Sequence, residues 1–142
     1  MTAHLLDVNV VIALIDPLHT HHDRAHDWFG ARGGAPWHSC PIVQNGVLRV
    51  VSNPRYPNTQ PAPTVLASLA SLTARGDHAF LPDSVSLLDG GVRADRLLAG
   101  AQVTDTYLLH LAVARSVMLA TFDRRLVTSA VPGGADALFV IP

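Results

Sequence analysis

Three aspartates carry the clearest chemical signal in this sequence. Asp7 closes the apolar run Leu5-Leu6 and is followed by more apolar residues. Asp105 follows Val103-Thr104, and Asp123 stands three residues after Ala120. A carboxylate at the end of an apolar strand costs free energy unless it is paired or liganded. Carboxylates gathered at one edge repel and raise one another's pKa. A divalent cation removes that conflict. Mg²⁺ takes carboxylate oxygens, keeps several waters and serves phosphoryl chemistry; paired metals activate water and stabilise a leaving oxygen. Asp105 and Asp123 have a second reading, as caps that satisfy free N–H groups at helix starts.

The elements that must position these acids read as alternating strands and helices. His4 to Asp7 is a short strand, with a helix preferred for Val8 to Ile15 until Asp16-Pro17 breaks it. Thr20 to Ala31 is a helix ended by Gly33-Gly34. Pro36 to His38 is a strand. Pro41 opens a helix whose face is Val43, Gly46, Val47, Val50 and Val51. Asn53 to Pro63 is a loop, Val65 to Leu72 a helix and His78 to Leu81 a strand. Gly90-Gly91 and Gly100 bracket a weakly patterned segment. Thr104 to Arg115 is a helix, Val117 to Ala120 a strand and Asp123 to Val127 a short helix. Pro132-Gly133-Gly134 is a turn, and Leu138 to Ile141 a last strand. This order predicts an α/β domain with a mostly parallel sheet. In such sheets the site lies outside the carboxyl ends of the strands, where Asp7 and Asp123 fall and which Asp105 reaches from its helix start.

Composition narrows the chemistry. The 142 residues are 49% hydrophobic and 15% charged, with a net charge of −1. That suits one domain, residues 1–142, with a core. The basic residues are all Arg and the acidic ones all Asp. Without Lys, a P-loop and side-chain Schiff-base chemistry are excluded. The single Cys40 excludes an internal disulfide and a multi-Cys zinc site. No apolar run approaches the ~20 residues of a membrane span. The N-terminal segment lacks a basic n-region, so a cytoplasmic protein is expected. Nucleic-acid binding would need a local Arg cluster.

Four segments together resemble the VapC ribonuclease toxins, a family of PIN domains in bacterial toxin–antitoxin pairs. They are Leu5-Leu6-Asp7-Val8-Asn9-Val10, the stretch from Cys40 to Pro54, Val103-Thr104-Asp105-Thr106-Tyr107-Leu108, and Ala120-Thr121-Phe122-Asp123-Arg124-Arg125-Leu126. The resemblance implies a PIN-like fold: a five-stranded, mostly parallel sheet with helices on both faces. It implies Mg²⁺- or Mn²⁺-dependent cleavage of structured RNA, tRNA or rRNA, by metal-activated water. Asp7, Asp105 and Asp123 match metal-site acids; Asn9 and Thr121 match polar positions beside the metal. Arg124 and Arg49 are candidate phosphate contacts. The implied partners are a VapB-type antitoxin and a second copy of the chain. The antitoxin would cover apolar surface around Trp28 and the Val47–Val51 helix.

The sequence departs from that family at Gln44, where a Glu is usual. The amide keeps the shape and one acceptor but loses the charge, so weaker metal binding is expected and Gln44 belongs with the catalytic set in question. The alternative function is a catalytically inactive PIN domain that acts only by binding RNA or antitoxin. A haloacid dehalogenase-type phosphatase or phospho-receiver also uses an Asp after a first strand. Both need a Lys, and the phosphatase needs a second acid where Asn9 stands.

Other residues invite competing readings. His22 and His26 share an i, i+4 face that suits zinc, against the plainer reading of solvated helix histidines. These histidines also suit an approach to RNA when protonated. Arg55 and Tyr56 fit either RNA contact or an exposed loop. Trp28, Phe29 and Trp37 read as core. Asp16, Asp83 and Asp89 are left outside the site.

Overall fold

The computed structural model describes residues 2–142. The strands are β1 (His4–Leu6), β2 (Trp37–Ser39), β3 (His78–Phe80), β4 (Met118–Thr121) and β5 (Leu138–Val140). The helices are α1 (Val8–Ile15), α2 (His22–Ala31), α3 (Pro41–Val51), α4 (Ala62–Thr73), α5 (Val103–Ala114) and the single turn α6 (Gly134–Ala137). All neighbouring strands are parallel, in the order β3-β2-β1-β4-β5. Leu5 and Leu6 of β1, and Leu119 and Ala120 of β4, have no solvent exposure. Central strands covered on both faces need that continuous apolar run.

The chain leaves β1 toward β2 on one side, and later leaves β4 toward β5 on the other. Right-handed crossovers then put α1 to α4 on one face and α5 with α6 on the opposite one. The packing agrees: α1 meets α2, α3 and α4, while α5 meets β4 and α6. The direction of winding reverses between β1 and β4. In open α/β sheets a ligand crevice forms at that reversal, beyond the strands' carboxyl ends. The backbone N–H of Asp7 donates to Ala120 O at 2.9 Å, tying the ends of the two strands together there.

Three local expectations need correction. Asp123 to Val127 is not a helix. The Asp123 carboxylate occupies the N–H of Arg125 at 2.8 Å, leaving one long 3.4 Å bond from Leu126 N to Asp123 O. A side chain competing for the first free N–H groups favours a turn over a helix. The loop after Asn53 is shorter than expected, because α4 begins at Ala62 and absorbs Pro63 in its first turn, where a missing N–H costs nothing. Finally, Val47 and Val51 are core residues rather than antitoxin-facing surface. Gly46 lets α3 lie against α1: a Cβ there would stand 2.9 Å from Val8 Cγ2. Trp37 and Phe29 are core as expected, while Trp28 is half-buried against Phe139 and His4.

Candidate active site

Asp7 is the hub of the crevice. It is 5% exposed and caps α1, with its carboxylate accepting from Val8 N at 2.7 Å. Its second oxygen accepts from Thr121 Oγ1 at 2.8 Å. Asn9 Nδ2 lies 3.4 Å from the same oxygen and donates to Thr121 Oγ1 at 3.1 Å. Asn9 Oδ1 in turn accepts from Phe122 N at 3.1 Å. Thr121 Oγ1 also accepts from Asp123 N at 3.1 Å. The spacing Asp7-x-Asn9 puts both side chains at the opening of α1, and the adjacent end of β4 supplies Thr121. Asn9 and Thr121 therefore fix the orientation of Asp7 and of the backbone entering Asp123.

The three acids meet electrostatically. Burial raises the pKa of Asp7, and the Asp123 charge pushes it further, against the lowering effect of the Thr121 and Val8 hydrogen bonds. Burial, then the charges of Asp7 and Asp123, push Asp105 up to about 6. Asp105 occupies the first turn of α5. A helix N-terminus favours the anion there, so burial and the neighbouring acids outweigh the dipole. Among the described residues, the ion pairs are Arg32–Asp77, Arg96–Asp95 and His110–Asp89. None of them neutralises Asp7, Asp105 or Asp123.

These carboxylates suit a divalent cation in one specific sense. Among the described residues no three His, Cys or Asp side chains close into a ligand cage. Mg²⁺ does not need one: it binds through one or two carboxylates and keeps its remaining waters. An open cluster of mutually repelling acids, one held rigidly by neutral donors, fits that demand. It does not fit tetrahedral zinc.

The remaining predicted residues fall in different places. Gln44 donates from Nε2 to Ser39 Oγ at 2.9 Å, and Ser39 Oγ is 2.8 Å from His78 Nε2. Its amide is thus engaged at the end of β2, the strand beside β1. Arg124 and Arg125 are exposed beside Asp123. Arg49 is in the last turn of α3. It stands about 12 Å of helix rise from the α3 terminus that abuts the sheet's carboxyl edge.

The His22/His26 pair has a structural task. His22 Nδ1 lies 2.7 Å from Ala13 O, and His26 Nε2 lies 2.8 Å from Leu14 O. Both rings satisfy carbonyls of the last turn of α1, which have no partner inside the helix. Tyr56 is likewise committed, donating its hydroxyl to the buried Asp16, which also accepts from Asn58 at 3.0 Å. Sequence reasoning missed the pairing of His110 with Asp89, 2.9 Å apart. It also missed the packing of His21 and Arg24 on Phe122. Both are contacts between distant segments with no local pattern to announce them.

Two solved structures share this architecture. One is the Mycobacterium tuberculosis toxin VapC20, described as cleaving the sarcin-ricin loop. It has a TM-score of 0.59 at 8% identity, covering 91% of this chain and 96% of that one. The other is VapBC2 of Rickettsia felis bound to a promoter DNA fragment, with a TM-score of 0.62 at 15% identity and coverages of 86% and 89%. The fold is therefore the PIN-like α/β fold of these VapC structures. No family model matches the chain. Its sequence relatives are more specific. Ribonuclease VapC44 of M. tuberculosis is 45% identical over 130 residues, covering 91% of this chain and 92% of that protein. Ribonuclease VapC38 of the same organism is 42% identical over 128 residues, with 89% of each covered. Ribonuclease VapC39 is 39% identical over 140 residues, covering 97% of this chain and all of that protein. The chain belongs to the VapC ribonuclease family.

Proposed function

We propose that this chain is the toxin of a VapB–VapC pair and cleaves structured RNA, tRNA or rRNA, with a divalent cation in the crevice of Asp7, Asp105 and Asp123, bound directly by one or two of these carboxylates and through its waters by the rest. The observation that carries the reading is the crevice itself: the Asp123 charge helps to raise Asp7, the charges of Asp7 and Asp123 help to raise Asp105, and among the described residues no basic side chain pairs with any of the three. When bound, Mg²⁺ or Mn²⁺ neutralises this charge and lends Lewis acidity to attack by water on a phosphodiester. The protein's own part is orientation. Thr121 and Asn9 hold Asp7 in one rotamer and hold the Asp123 backbone beside it. Arg124 and Arg125 offer guanidinium groups to the RNA backbone next to the acids. Gln44, an amide engaged with Ser39, brings no fourth negative charge to this cation.

The kinship with VapC ribonucleases supports a VapB-type antitoxin as partner, a homodimer and a cytoplasmic setting. Among the described residues no helix is long and apolar enough to cross a membrane. The test is cleavage of purified tRNA and rRNA by the antitoxin-free chain, with Mg²⁺ or Mn²⁺ and with EDTA, beside Asp7→Asn. Metal-dependent cleavage that Asp7→Asn abolishes supports the reading. Cleavage that survives Asp7→Asn rejects it.

A further inference from the structure

We infer that His21, stacked on Phe122 and flanked by His19, forms a subsite on which an unpaired RNA base stacks beside the acidic crevice. This rests on the ribonuclease reading and adds to it a part of the substrate that the site grips. The rings of His21 and Phe122 are 4.9 Å apart at 27°, a stacked pair. His19 continues the series at 5.7 Å and 49°. The series is tied to the catalytic end of the molecule, because Phe122 lies between Thr121 and Asp123 and its N–H donates to Asn9. All three rings are partly open to solvent.

The platform is held in place from several directions. Arg24 lies 5.1 Å from the centre of the Phe122 ring, and its Nη1 is 2.9 Å from His21 Nδ1. The same guanidinium donates to Pro142 O at 3.1 Å and Ile141 O at 3.3 Å. A guanidinium only donates, so His21 Nδ1 accepts and the imidazole is the neutral tautomer carrying its proton on Nε2. His19 Nδ1 accepts from His21 N at 2.9 Å, which fixes the outer ring. Burial, Arg24 and His19 all lower the pKa of His21, in keeping with a neutral ring.

A core contact would bury these rings, and a solvated histidine would not be locked by an arginine. A neutral, rigid aromatic series open to solvent, with a fixed cation over its Phe122 ring, is what single-stranded nucleic acid binds: bases stack on the rings while the cation attracts the phosphate. Stacking tolerates any base, so the subsite selects an unpaired nucleotide rather than a sequence.

The test uses the full chain carrying Asp105→Asn to prevent cleavage, and a short unstructured RNA containing 2-aminopurine. Its fluorescence falls when the base stacks. Binding with quenching is expected. His21→Ala should weaken binding about tenfold, the scale of one lost base stack, and abolish the quenching. His21→Phe should restore both. Quenching and affinity unchanged in His21→Ala overturn the inference, as does failure of His21→Phe to rescue a folded protein, which assigns His21 to packing with Arg24. RNA cleavage by the parent chain that His21→Ala leaves unaltered in KM also overturns the subsite while leaving the ribonuclease reading intact. Stacking without cleavage by the parent chain does the reverse.

Discussion

Asp105 is a carboxylate whose ordinary pKa of 3.8 is pushed to about 6 in the folded chain by burial and by two neighbouring charges. Between those values the folded state binds more protons than the unfolded one, so stability falls as pH rises through the window. Asp105→Asn should therefore stabilise the cation-free protein at pH 7 by about 1 kcal/mol, discounted for the solvent that reaches this side chain. The gain should vanish near pH 3. Thermal melts in EDTA at the two pH values check this, and equal gains at both would show that charge is not the cause. Mg²⁺ should raise the melting temperature of the unmodified chain more than that of the variant, since binding to the native state adds stability. Thr121→Val tests the hydrogen-bond hub. It keeps the shape of a buried side chain but removes the hydroxyl that serves Asp7, Asn9 and the Asp123 backbone. Ribonuclease activity should fall about 10- to 100-fold, the usual effect of losing a group that orients a metal ligand. Steady-state cleavage rates decide it, with a melt to confirm that the variant is folded.

At the scale of elements, the crevice depends on α1 and α3 packing closely behind it. Gly46 is where they meet, and a Cβ there would press on Val8. Gly46→Ala should destabilise the fold by about 1–3 kcal/mol, the cost of forcing a methyl group into a packed contact. Val8→Ala in the same chain should return part of that loss, which urea unfolding of the single and double variants would measure. Here the sequence was informative. Gly46 falls in the apolar face of α3, and Pro41 announces its start. The strand ends at Asp7 and near Asp123 were legible because fully buried strands read as apolar runs broken by one acid. Asp123 to Val127 was misread because a helical spacing says nothing of a carboxylate that takes the first N–H for itself. The direction of the Gln44 side chain was also hidden. It is set by Ser39 and His78 across the sheet, a contact of high sequence separation for the His78 end.

The whole molecule is a sheet whose winding reverses between β1 and β4, with three acids gathered beyond that reversal. In the proposed function these three aspartates suffice for metal-dependent RNA cleavage with Gln44 in place. Its most direct test is a paired rate measurement on tRNA and rRNA, comparing the unmodified chain with Gln44→Glu in Mg²⁺, in Mn²⁺ and in EDTA. The unmodified chain should cleave in either metal, stop in EDTA, and run within about tenfold of Gln44→Glu, a difference of ~1.4 kcal/mol in barrier. Cleavage by Gln44→Glu alone would contradict this and make the unmodified chain a binding protein with a disabled site.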